Sequence, residues 1–248
     1  MSSRDNPGSG ESAGYTAQHW FRLHIRIMTL TRIAPPDFDV DVALAYATPE
    51  NFTGQPIYRA DAQAWLHPDA AQCLAKAVAL AKIQGWRLFI FDAFRPQAAQ
   101  WALWNHTPDP NFVADPKRGS PHSRGAAVDL TLLDAEGQPL EMGTPFDDFT
   151  VASHHGSTEV SVEAQRNRLL LMGLMTTAGW DFYRNEWWHY QLFDARAKYP
   201  LIEDLDSPVG MAPPPVPAVQ TITRSGKPDR RQNGARAAAD RRGHRSRG

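Results

Sequence analysis

The chain has 248 residues, 42% of them hydrophobic, and a formal net charge of −1. That suits one globular domain with a substantial core, and no apolar run approaches the ~18 residues that a membrane-spanning helix needs. Cys73 is the only cysteine, which excludes an intramolecular disulfide or a Cys-rich zinc site, so any metal must be held by histidines and carboxylates.

Residues 1–28 are polar and Gly/Ser-rich at the start, and Arg22, His24 and Arg26 interrupt the first apolar stretch. No signal-peptide pattern is visible, so a flexible extension and a cytoplasmic protein are expected. The folded domain is expected over 29–206. His67-Pro68-Asp69 opens a helix through Ala70, Cys73, Leu74, Ala77 and Leu80 that stops at Gly85, with Pro early and Gly after the end. Cys73 is expected to be a small buried residue of that helix. Trp86 to Asp92 is rich in β-formers and reads as a strand. Arg95-Pro96 leads to a second helix near 97–105, and the polar, Pro-containing stretch from Asn105 to Pro121 is a loop. Ala126 to Leu133 alternates as a strand with Val128, Leu130 and Leu132 on one face. Val162 to Ala178 is an amphipathic helix ended by Gly179, and Trp187 to Phe193 is a last strand. This mixture favours an α+β fold over a regular doubly wound sheet.

Residues 207–248 begin in a Pro-rich stretch and end basic. From Thr223 onward nine Lys/Arg face Asp229 and Asp240, a charge of +7, which leaves −8 for the rest. Such a segment buries too little apolar surface to offset its ordering entropy and is expected to be disordered and solvated. No specific nucleic-acid partner is expected from it.

Three segments carry chemistry: Asp92-Ala-Phe-Arg95-Pro96, Ser120 to Asp129, and Glu186-Trp-Trp-His189. Asp129 interrupts an apolar strand, on the face opposite Val128 and Leu130. A lone carboxylate there is costly to desolvate, and a cation is one way to compensate it. The alternative is that Asp129 caps a turn or pairs with Arg124, while His122 is an ordinary loop histidine. Residues three apart in a regular strand point to opposite faces. If Glu186 lies in the turn before the strand, however, His189 reaches a metal and Glu186 reaches its water. Three ligands with one open position is what catalytic zinc requires. Trp187, Trp188 and Tyr190 read as core or cleft-wall aromatics. Arg95, at a rigid corner before a proline, suits a substrate carboxylate or an oxyanion, or else is a surface arginine paired with Asp92.

Together these segments resemble the D-alanyl-D-alanine dipeptidase family of zinc peptidases, of the vancomycin-resistance type, related to zinc D,D-carboxypeptidases and the hedgehog domain. The family's Ser-x-His-x-x-Gly-x-Ala-x-Asp is matched by Ser120, His122, Gly125, Ala127 and Asp129, and its Glu-x-x-His by Glu186 and His189. Asp92 to Pro96 is similar to its Arg-bearing turn. Glu141-Met142-Gly143-Thr-Pro-Phe146-Asp147 and Ser153-His154-His155 look like its substrate-binding segment, with Glu141 standing where Asp is expected. The resemblance covers Pro36 to Asp206.

It implies a single domain with a central, mostly antiparallel sheet flanked by helices, hedgehog/D,D-peptidase-like. It also implies one Zn2+ per subunit on His122, Asp129 and His189, with Glu186 as general base and then proton donor. Arg95 would stabilise the oxyanion, and Ser120 and Asp147 would hold the termini of a small dipeptide substrate. The competing readings are a zinc D,D- or L,D-carboxypeptidase on peptidoglycan peptides, and a zinc-binding module without catalysis. Oligomeric state is not indicated.

Overall fold

The computed structural model describes residues 30–213; the expected N-terminal extension and the basic tail from 214 lie outside them. Seven strands are present: β1 (Thr31–Arg32), β2 (Val40–Val42), β3 (Trp65–Leu66), β4 (Arg87–Asp92), β5 (Ala127–Leu133), β6 (Asp181–Phe182) and β7 (His189–Gln191). Four helices accompany them: α1 (Pro68–Ile83), α2 (Gln97–His106), α3 (Val162–Ala178) and α4 (Ala195–Lys198). β1 and β3 form a small antiparallel ribbon. The main sheet has the order β2-β4-β5-β7-β6, parallel only between β2 and β4. The fold is α+β.

Local chemistry accounts for these elements. α1 starts where the His67 ring accepts from the Asp69 amide at 3.2 Å and Pro68 takes the first helical position, which needs no N–H. α3 starts at Ser161, whose hydroxyl accepts from the Ala164 amide at 3.0 Å, and stops at Gly179 with φ +106°. α1 and α3 pack against each other and α1 against β4. They cover the sheet face that carries Leu88, Ile90, Leu130 and Leu132, each no more than 1% exposed. Every residue of β5 is buried, as befits a central strand covered on both faces. Cys73 of α1 is half-buried rather than fully buried, so it sits at the edge of the core.

Two sequence boundaries shift. The last strand is shorter than Trp187–Phe193 because Trp187 and Trp188 belong to the turn before β7. Residues 207–211, expected in the tail, pack on the domain: Tyr58 bridges Met211, the Arg59 amide donates to Gly210 at 2.9 Å, and Val209 is buried. Their backbone finds partners on the 57–59 segment, a signal that hydropathy does not carry.

Candidate metal centre and active site

The sheet brings the sequence-separated polar residues together on its second face. Asp129 on β5 pairs directly with His189 on β7, so their side chains are cross-strand neighbours. Between β4 and β5 the register slips, so that Asp92 rather than Phe91 lies opposite Asp129. That bulge turns Asp92 onto the Asp129 face; in an unbroken ladder its side chain would point the other way.

His122 comes from the one-turn 3-10 helix His122–Arg124, closed by Gly125 at φ +65°. A Cβ on Gly125 would lie 2.6 Å from Leu30 Cδ2 and 2.8 Å from the His67 amide nitrogen. Only glycine therefore allows this turn to lie against the start of α1. The His122 carbonyl accepts from the Arg95 amide at 3.2 Å, which locks the Arg95 corner to the same turn.

Three side chains converge. His122 Nε2 is 3.1 Å from His189 Nδ1 and 3.3 Å from Asp129 Oδ2, and His189 Nδ1 is 3.0 Å from Asp129 Oδ1. All three residues are buried. Their other ring atoms decide the protonation. His122 Nδ1 donates to the Ala93 carbonyl at 2.7 Å, and His189 Nε2, as oriented, donates to Gln191 Oε1 at 3.2 Å. In neutral rings both facing nitrogens therefore present lone pairs, alongside a carboxylate oxygen. Three buried acceptors with no donor among them need a cation. A proton can bridge only one edge, whereas a central ion satisfies all three. The edges match the ~3.3 Å expected for tetrahedral coordination at ~2.0–2.1 Å, and the outer hydrogen bonds are those that orient ligating histidines. His122, Asp129 and His189 thus fit a zinc ion.

The electrostatics agree with that arrangement. Burial raises the Asp129 pKa, but His122 and His189 outweigh it and hold the carboxyl well below its ordinary range. Burial lowers the His189 pKa, favouring the neutral ring that a ligand requires.

Glu186 lies in the turn before β7, where the His189 amide donates to its carbonyl at 3.3 Å. Its Oε2 is 3.8 Å from His189 Nδ1, beside the three-residue cluster but outside it. Burial raises its pKa well above the ordinary value, with Asp129 and Asp147 adding and Arg95 opposing. Arg95 is 7% exposed and bonded to three side chains. Its Nε donates to Asp92 Oδ2 at 2.8 Å, Nη1 to Gln100 Oε1 at 3.0 Å and Nη2 to Asp129 Oδ2 at 3.4 Å, while its guanidinium stands 5.0 Å over the Tyr46 ring. The expected Asp92 pairing is real, but in the interior rather than on the surface. Arg124 does not reach Asp129; it donates to the Tyr199 carbonyl.

A cavity of about 260 Å³ opens over these groups, and Arg95, His122, Asp129, Glu186 and His189 all line it. A model of the D-ala-D-ala dipeptidase family, Peptidase M15, matches residues 27–205. The chain belongs to this family. Among relatives of the dipeptidase family, the D-alanyl-D-alanine dipeptidase of Escherichia coli K12 is 47% identical over 166 residues, covering 67% of this chain and 85% of that protein. That of Enterococcus faecium is 36% identical over 173 residues, covering 60% and 84%. A solved structure of a mutant vancomycin resistance D,D-pentapeptidase, VanY, in complex with Zn(II) is a more distant likeness, at 14% identity and a TM-score of 0.36, covering 67% and 85%.

The remaining residues named from the family pattern also reach the cavity. Ser120 is buried, and its Oγ accepts from the His122 amide at 3.2 Å, which leaves its own hydrogen to donate. Asp147 stands at φ +61°, a backbone region that Asp tolerates better than most residues. Its Oδ1 accepts from Tyr46 at 3.2 Å, while Oδ2 is buried without a hydrogen-bond partner among the described residues. Burial and then Asp129 raise its pKa well above the ordinary value. Trp187, Trp188 and Tyr190 are buried, with Trp188 in the cavity wall. Sequence reasoning missed Gln100 and Gln191, which hold Arg95 and His189, and Tyr46, which serves both Arg95 and Asp147. None of them sits in a recognisable spacing.

Proposed function

We propose that the protein hydrolyses D-alanyl-D-alanine to two D-alanines at a zinc ion held by His122, Asp129 and His189. The observation that carries this reading is the convergence of two imidazole lone pairs and a carboxylate, with Glu186 beside them but outside their ligand set. Zinc supplies a Lewis acid that polarises the scissile carbonyl and lowers the pKa of water towards ~7.

The chain's own side chains do the rest. Glu186 takes a proton from the attacking water and passes it to the leaving amine; a raised pKa suits a group that must both hold and release that proton. Arg95, fixed by Asp92 and Gln100, presents positive charge beside Asp129, where the carbonyl oxygen becomes anionic. Asp147 Oδ2 has no hydrogen-bond partner among the described residues and suits the dipeptide's ammonium group. The Ser120 hydroxyl donates towards the substrate. The cavity of about 260 Å³ lies below the ~300 Å³ at which drug-sized pockets begin.

The test is zinc-loaded and chelator-treated protein offered D-Ala-D-Ala, L-Ala-L-Ala and a longer muropeptide. Cleavage of D-Ala-D-Ala alone, and only with metal, is expected. Preferential cleavage of the muropeptide would replace this reading with the carboxypeptidase one. Zinc binding without any cleavage would leave a binding module.

A further inference from the structure

Three arginines line the cavity, and of these only Arg95 meets carboxylates among the described residues. Arg95 is held by Asp92, Gln100 and Asp129. Arg118 and Arg196 line the same cavity, yet among the described residues neither has a carboxylate within ion-pair distance. Arg196, in α4, donates from Nε to the Gly119 carbonyl at 3.1 Å. That carbonyl lies between Arg118 and Ser120 in the chain, so the two guanidinium groups share one rim. Burial lowers the Arg196 pKa, and the charge of Arg118 lowers it further. Two like charges held at one rim without an acid is an arrangement that an anion relieves.

Asp147, another lining residue, is anchored elsewhere. Asp147 bonds Tyr46, whose ring lies under Arg95. Arg196 instead adjoins the Gly119–Ser120 turn that leads into His122. The cavity thus carries both signs: Asp147 and the arginines Arg118 and Arg196 line it together with His122, Asp129 and His189. A free dipeptide is a zwitterion and also carries both signs.

We propose that Arg118 and Arg196 receive the dipeptide's terminal carboxylate and so fix the direction in which it lies across the metal site. This rests on the dipeptidase reading above. Ser120, on the same rim, adds a neutral donor. The pair makes a free carboxylate a condition of good binding, and because both arginines are exposed, the preference weakens as salt rises.

The experiment is calorimetric titration of zinc-loaded Glu186→Gln protein with D-Ala-D-Ala and with D-Ala-D-alaninamide, which lacks the carboxylate. The acid should bind at least ~10-fold tighter than the amide, the scale of a charge-assisted contact. Arg118→Gln and Arg196→Gln should each weaken acid binding roughly 5- to 20-fold, and the double change about 100-fold. Binding of the amide should not move, so that acid and amide converge. On the Glu186 background, KM should rise with kcat retained. Zinc content and melting temperature equal to the parent's check the fold. Acid binding unmoved by the double substitution, or equal losses for acid and amide, overturns the assignment while the dipeptidase reading stands. If the parent binds neither compound and the enzyme with Glu186 cleaves no dipeptide, the dipeptidase reading falls and this assignment with it.

Discussion

On the sheet side of the cavity, Asp129 and His189 face each other across adjacent strands, so backbone register fixes their separation. On the loop side, Asp147 and Phe149 belong to a segment whose only regular element is the short turn Val151–Ser153. One buried arginine holds that segment. Arg168 of α3 donates to the carbonyls of Met142 at 2.7 Å, Ala152 at 2.7 Å and His154 at 3.2 Å, and lies 5.9 Å from the Trp187 ring centre. Phenylalanines complete the loop wall: Phe149 packs against Phe52 at 4.7 Å and stacks on Phe112 at 5.0 Å, joining three loops. The Asp129–His189 pair of the proposed metal site therefore sits on strands, with His122, Glu186 and Arg95 on short turns fixed against them, while the proposed recognition wall sits on loops ordered by a few side chains. Damage on the sheet side should abolish the reaction; damage on the loop side should loosen binding and stability.

The largest effects test the sheet side. His189→Ala should lose stoichiometric zinc together with turnover, whereas Glu186→Gln should keep zinc and lose roughly 10²- to 10⁴-fold in kcat, the range of general acid–base contributions. Zinc analysis beside circular dichroism distinguishes them, and equal zinc loss in both would make Glu186 a ligand. Arg95→Ala should lower kcat by about 10²- to 10³-fold, as removal of an oxyanion donor does. Unchanged kinetics would remove Arg95 from the reaction.

Arg168→Ala addresses the contrast itself. It strips donors from three loop carbonyls at a site 2% exposed. At ~1–3 kcal/mol for each orphaned buried acceptor, relieved in part by water, the net loss should be about 3 kcal/mol. Denaturant midpoints measure it. KM should rise more than kcat falls, zinc should stay bound, and Arg168→Lys should rescue part of the loss. Zinc loss equal to that of His189→Ala would show that loop and sheet are one cooperative unit.

The sheet side was the legible side. A carboxylate in an apolar strand, a glycine three residues after a loop histidine, and Glu-x-x-His before a strand each have a physical reason visible in the spacing. The first helix opens at His67-Pro68, and glycines, Gly85 and Gly179, mark where both main helices stop. The β-bulge that turns Asp92 inward left no mark, because a polar residue at the end of a strand is ordinary in any register. Arg168, Gln100 and Gln191 were equally silent: each acts through a partner remote in sequence, and a buried arginine in an amphipathic helix looks like a solvated one. Val209 and Met211 were lost to the tail because proline-rich composition hides a segment that packs by backbone pairing.

The smallest effect concerns acid stability on the loop side. The His155 ring packs edge-on to Phe182 at 5.0 Å, and its Nε2 is buried without a hydrogen-bond partner among the described residues. Burial, then the positive charge of Arg168, lower its pKa to about 4, against ~6.5 in an unfolded chain. Between those values the unfolded state holds a proton that the native state refuses. Stability therefore rises with pH in that window and is lost as pH falls from ~6.5, levelling off below about 4. At ~1.4 kcal/mol per unit, discounted for residual exposure, the loss should be about 2 kcal/mol. His155→Phe has no such proton to exclude, so its stability should fall less than the parent's by that amount across the window. Urea unfolding of both proteins at several pH values decides it; parallel curves would show that His155 finds a proton acceptor in solution, and that the loop side is less tightly closed around it than its packing implies.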